Sequence, residues 1–231
     1  MILGALDMEF GFHGRPFDYG TVEPVCGVLL LADGKRVAAC PRLGLPWSLL
    51  LPLLLNVEIL VSMHHGAYAE RRVLEHLNLP FPEGHWWDTE LAERVLHIAG
   101  RGDLAQDRPV KGDGPYTLLA CLRRRGYDVR DADRKKGLQE KIGKLEFSDS
   151  DLPEIVKYCA DDCADTLRLA QEQVGGFQRL PGRMTEMYVG LLQPHLLRVA
   201  DMTAKGLAFD TGSYAMLRNN GDRLRRACRP S

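Results

Sequence analysis

The sequence predicts an α/β fold, a mixed sheet with helices on its faces and a small helical extension at the C-terminal end. Three observations carry this reading. Short apolar runs crowd the stretch up to Met63, an Asp-Gly turn joins two of them, and mostly helical stretches follow, alternating at first with a further strand.

Ile2 to Phe10, Val25 to Ala32 and Arg36 to Cys40 read as strands. Ala32-Asp33-Gly34-Lys35 joins the last two, since Asp-Gly between apolar runs is a hairpin signal. Trp47 to Leu55 is very apolar, but it holds Pro52 and is followed by Asn56 and Glu58. That falls well short of the ~20 apolar residues a membrane helix needs, so the run reads as a buried helix or loop. Ile59 to Met63 is a short strand, Ala67 to Leu77 a helix and His85 to Asp88 another strand. Asp88 or Thr89 can cap the helix Glu90 to Ala99. Tyr116 to Arg125, Lys135 to Leu145 and Asp151 to Val174 complete the helices of the first part. Gly175-Gly176 has the character of a helix stop, which sets a boundary between residues 1–176 and 177–231. Beyond it, Met184 to Lys205 and Ser213 to Arg226 read as two helices.

A chain of 231 residues can bury a sizeable core. Its 30 Lys and Arg against 31 Asp and Glu give a net charge of −1, which offers no global attraction to a polyanion. If the partner is a polyanion such as nucleic acid, positive charge must be local, and the candidate patches are Arg123-Arg124-Arg125, Arg134-Lys135-Lys136, and Arg223 to Arg229. Taken singly, such runs are ordinary solvated faces. The six cysteines are scattered, without a CxxC pair or zinc-finger spacing, so reduced thiols and a cytoplasmic home are expected. Cys159 and Cys163, one turn apart on a helix, read as core. Met1 runs through the apolar stretch Ile2 to Leu6 straight into Asp7, unlike a secretory leader.

The acids carry the chemistry. Asp7 and Glu9, two apart in a strand, project from one face, and like charges so held raise their own pKa values or require a cation between them. Glu70 falls within about 15° of the centre of the stripe made by Val73, Leu74 and Leu77, a costly place for a carboxylate that is neither paired nor metal-bound. In the helix Asp151 to Val174, Asp162 lies about 95° from the apolar stripe, whereas Asp161 and Asp165 lie roughly 155° or more away. Asp162 is therefore the acid at the border between protein and solvent, with Tyr158 one turn earlier on the same side. Four acids converging at a sheet end, without His or Cys, offer hard oxygen ligands that suit Mg²⁺ or Mn²⁺. Two such ions about 4 Å apart suit in-line attack on a phosphodiester.

A family resemblance rests on those same residues. Asp7-Met8-Glu9 resembles the first motif (DxE) of the DEDD exonuclease superfamily, and His64-His65-Gly66-Ala67-Tyr68-Ala69-Glu70-Arg71 looks like the second. Tyr158-Cys159-Ala160-Asp161-Asp162 matches the YxxxD third motif of its tyrosine subclass, and Trp87-Asp88-Thr89 resembles a strand-to-helix passage between the second and third motifs. Leu191 to Arg226 is similar to the segment by which family A DNA polymerases pass from exonuclease to polymerase domain. The whole resembles the proofreading domain of bacterial and phage polymerase I-like enzymes, with no polymerase domain following. Where the second motif usually carries Asp and Asn, this chain has Glu70 and Gly66.

The resemblance implies a ribonuclease-H-like fold and a 3′→5′ exonuclease that releases nucleoside 5′-monophosphates from DNA with two divalent cations. In that scheme Asp7 bridges the ions, Glu9 and Asp162 complete the nucleophile-side site, and Glu70 acts mainly through ion-bound water. Tyr158 orients the attacking water, while Phe10, Phe12 and His13 stack against or wedge the terminal bases and Gly66 lies near the DNA end. The implied partners are a single-stranded or frayed DNA 3′ end and a separate polymerase chain. Two alternatives stay open: an RNA-trimming exonuclease like ribonuclease D, which shares the three motifs, and a catalytically silent DNA- or polymerase-binding subunit.

Overall fold

The computed structural model describes residues 2–14, 21–62, 69–81, 86–99, 116–129 and 132–205. Among them, five strands form one mixed sheet: β1 (Leu3–Phe12), β2 (Val22–Leu31), β3 (Arg36–Ala39), β4 (Ile59–Ser62) and β5 (Trp86–Asp88). The order across the sheet is β3-β2-β1-β4-β5, antiparallel from β3 to β1 and parallel from β1 to β5. This is the ribonuclease-H-like arrangement that the resemblance implies. The hairpin between β2 and β3 turns at Asp33-Gly34, where Gly34 takes φ 88°, a left-handed conformation that glycine adopts freely.

Alternation along β1 divides the interior. Ala5 shares one face with Val28 and Val61, against Ile155, Cys159 and Cys163 of a long helix, α6. Leu6 and Met8 join Leu29 and Leu60 on the other, against Leu54 and Val73. The helices are α1 (Leu51–Asn56), α2 (Ala69–His76), α3 (Thr89–Ala99), α4 (Leu118–Arg124), α5 (Ala132–Gly143), α6 (Leu152–Gln178), α7 (Gly182–Met187) and α8 (Gln193–Lys205), with a π-helical turn at Tyr188–Leu192. The apolar run from Trp47 forms a 3₁₀ turn that leads into α1, and among the described residues no helix is long and apolar enough to cross a membrane.

The expected stop at Gly175-Gly176 is not where α6 ends, since the helix continues to Gln178. Neither glycine takes a positive φ. Gly176 serves packing instead: a Cβ there would lie 3.0 Å from Leu96 Cδ2, so its bare backbone lets α6 approach α3 closely. Downstream residues return to the sheet. Tyr188 is fully buried against Trp87 and Phe177, with ring centroids 4.7 and 4.9 Å away, and its hydroxyl donates to the Asp88 carbonyl at 2.9 Å. Gln193 Nε2 donates to the Trp86 carbonyl at 2.5 Å, and Ala200 packs against Trp86. The helix expected at Ser213 to Arg226 and the basic run Arg223 to Arg229 lie outside the described residues.

One buried ionic node ties α3, α4 and α6 together. Glu93 accepts from Arg125 Nη1 and Nη2 at 2.8 and 2.7 Å, from Arg124 Nη2 at 3.1 Å and from Gln173 Nε2 at 3.0 Å. Two arginines of the expected basic patch are thereby turned inward, and their charge is spent inside the fold. Gln173 also donates to the Thr89 carbonyl and accepts from Trp87 Nε1, so the node reaches β5.

Candidate active site

Asp7 and Glu9 project from the α6 face of β1, the face that Ala5 occupies further back along the strand. α6 crosses this face and brings Asp162 to them. One carboxylate oxygen from each of Asp7, Glu9 and Asp162 lies within 4.8 Å of the others. Cys159 anchors the crossing: its thiol donates to the Asp7 carbonyl at 3.2 Å, one turn before Cys163 donates to that of Val28 at 3.0 Å. Both thiols are buried in the core, as expected.

Asp162 is buried, at 1% exposure, and not at the border that its helical wheel suggests. The wheel sees only α6, whereas β1 and α5 cover that flank in the folded chain. Tyr158 sits one turn earlier and is buried beside the same acids.

Glu70 occupies the first turn of α2 at 5% exposure. It stands outside the three-acid cluster but close enough for the charges of Asp7 and Asp88 to act on it. Asp88, at the end of β5, also caps α3, its Oδ1 accepting from Leu91 N at 2.7 Å. Phe10 and Phe12 follow a register shift in β1 and meet edge to face at 5.6 Å, packed against the second core. His13 is exposed and pairs with Glu23. Gly66 lies outside the described residues.

The electrostatics follow from burying like charges. Burial, then the charge of Asp162, pushes the Asp7 carboxyl up to about 7, against a smaller opposing pull from Lys135. Glu9 is raised well above the usual carboxylate range by burial and then by Asp7, and Glu70 by burial, Asp7 and Asp88. Burial and then Asp162 raise the Tyr158 phenol, so it stays neutral at physiological pH.

A divalent cation fits this donor set. Asp7 Oδ2 and Glu70 Oε2 are buried without a hydrogen-bond partner, an expensive state that a cation relieves. The donors are all hard carboxylate oxygens, as Mg²⁺ and Mn²⁺ prefer.

A pH dependence follows for the ion-free protein. A carboxyl raised by folding binds more protons folded than unfolded, so Asp7 makes stability fall as pH climbs from its ordinary 3.8 to about 7. Thermal melts in chelator should therefore show a lower midpoint at pH 7.5 than at pH 5, with Mg²⁺ narrowing the gap. A midpoint that rises across this window would contradict the buried, mutually repelling cluster.

The feature that the sequence reading missed is Lys135. In sequence it belongs to the candidate basic patch Arg134-Lys135-Lys136, but its Nζ lies 2.8 Å from Asp162 Oδ2. Its spacing is the available signal, because Lys135 falls in line with Leu138 and Ile142 on the inward stripe of α5.

No protein-family model matches this chain, and no curated protein matches it. Among solved structures the chain is similar to Escherichia coli RNase D, an exoribonuclease involved in structured RNA processing, at 16% identity and a TM-score of 0.49. That match covers 84% of this chain and 45% of the other. It is also similar to the family B DNA polymerase from the hyperthermophilic archaeon Pyrobaculum calidifontis, at 13% identity and a TM-score of 0.49, over 88% of this chain and 29% of the other. The chain thus spans less than half the length of either structure.

Proposed function

We propose that this chain is a divalent-cation-dependent 3′→5′ exonuclease of the DEDD superfamily's tyrosine subclass, acting on single-stranded or frayed DNA 3′ ends. The observation that carries the reading is the cluster of buried Asp7 and Asp162 with half-buried Glu9, and Tyr158 one turn from Asp162. The preference for DNA rests on the likeness of residues 191–226 to a polymerase junction.

In this reading Asp7, Glu9 and Asp162 would hold a divalent cation, with Glu70 a further carboxylate nearby. Bound cations supply positive charge to the attacking and leaving oxygens of an in-line displacement. The Tyr158 hydroxyl, kept neutral, hydrogen-bonds the attacking water and aims it at phosphorus without acting as a base. Attack breaks the bond from phosphorus to the 3′ oxygen of the preceding nucleotide, which leaves with a proton. The terminal residue departs as a nucleoside 5′-monophosphate. The apolar walls around the acids, including Cys159 and Cys163, limit bulk water and strengthen each charge interaction.

Tyr158→Phe should lower the rate roughly ten- to a hundredfold without abolishing it, the scale of one hydrogen bond worth about 1–3 kcal/mol. Single-turnover assays at several pH values check this. A variant equal to the parent throughout would make the tyrosine purely structural.

The reading itself is tested with 5′-labelled DNA and RNA strands, with and without Mg²⁺. A Mg²⁺-dependent ladder shortening from the 3′ end of DNA is expected. A ladder on RNA alone reassigns the substrate to RNA, and intact strands under every condition would overturn the nuclease assignment.

A further inference from the structure

Where its side chains are described, helix α5 is lightly packed. Ile142 is its only fully buried side chain among those described, with Leu138 partly covered. Its C-terminal end is seated by shape: a Cβ on Gly11 of β1 would lie 2.6 Å from the Ile142 carbonyl oxygen and 2.5 Å from Leu145 Cδ2. Toward the other end the first described side chain is Lys135, which heads the stripe. That side chain is 12% exposed, with Nζ 2.8 Å from Asp162 Oδ2 and 5.5 Å from the centre of the Tyr158 ring. An ammonium so enclosed has lost hydration and rotamer freedom, and the neighbouring carboxylates compensate it. Lys135 thus stands in the place where a cation is wanted.

We propose that Lys135 is a resident counter-ion of the carboxylate cluster that yields Asp162 to an incoming divalent ion, so that ion loading unties the N-terminal half of α5. This rests on the divalent-ion reading of Asp7, Glu9 and Asp162. Two cations cannot approach the same carboxylate without mutual repulsion, and the ammonium, tethered to a lightly packed helix, is the one that can withdraw. The tether keeps mutually repelling acids together before an ion arrives, and weakens ion binding in exchange. Helix α5 then reports whether the site is loaded.

The test is a Mn²⁺ titration of the full chain, with free ion followed by electron paramagnetic resonance, on the parent, Lys135→Gln and Lys135→Arg. Removing the resident charge should tighten Mn²⁺ binding roughly tenfold or more, while the arginine variant stays near the parent. Equal or weaker binding by Lys135→Gln overturns the proposal and leaves the ion site standing. If not even the parent binds Mn²⁺ at millimolar concentration, the ion reading itself fails and the inference falls with it. Should Lys135→Gln not fold, hydrogen exchange on the parent decides. Mg²⁺ should speed exchange severalfold at residues 136–139 relative to 141–144, and unchanged or slower relative exchange overturns the untying.

Discussion

Asp7→Asn and Asp162→Asn should each lower hydrolysis by at least about a thousandfold, the upper range for loss of a principal electrostatic group at a reacting centre. Each change removes one carboxylate from a cluster whose oxygens lie within 4.8 Å of one another, and a neutral amide is a poor ligand for a hard cation. Stability should separate the two. Asp7 is held charged against burial and against Asp162, so its amide should raise the ion-free melting temperature near pH 7 and above. Asp162→Asn instead leaves the Lys135 ammonium without its 2.8 Å carboxylate, so the ion-free protein should melt lower. A tenth or more of the parent rate in either variant would remove that residue from the reacting centre.

Glu93→Ala should be the costliest change away from the acids, lowering stability by about 3–5 kcal/mol, the range for removing one partner of a buried ion pair. Burial pushes the Glu93 carboxyl up, but hydrogen bonds from Arg125 and Gln173 outweigh it and bring the group below its ordinary value. Truncation strands the Arg124 and Arg125 guanidinium groups and frees the Gln173 amide that donates to Thr89. Urea unfolding should show a lower midpoint with an unchanged slope. A loss under about 1 kcal/mol would mean that water replaces the carboxylate and that the node does not hold the three helices.

Much of the fold was legible because its signals are local. Short apolar runs and one Asp-Gly turn mark β1 to β3, and Asp88 announces the start of α3. Asp7, Glu9, Tyr158 and Asp162 could be named because their spacing within β1 and α6 already puts each pair on one side. What escaped depends on neighbours distant in sequence. The burial of Asp162 needs β1 and α5, and the inward turn of Arg124 and Arg125 needs Glu93 on another helix. Gly175-Gly176 has the composition of a stop, yet Leu96 from α3 makes the second glycine a packing contact. Lys135 was hidden by its basic neighbours in sequence, although its register on α5 is apolar.

The proposed chemistry depends on a divalent-ion site at Asp7, Glu9 and Asp162. Anomalous diffraction from crystals of the chain soaked in millimolar Mn²⁺ tests it most directly. The expected result is an anomalous peak bounded by carboxylate oxygens of these three residues, with Lys135 Nζ moved away from Asp162. A map with Mn²⁺ at other carboxylates but none here, and Lys135 still on Asp162, would contradict it.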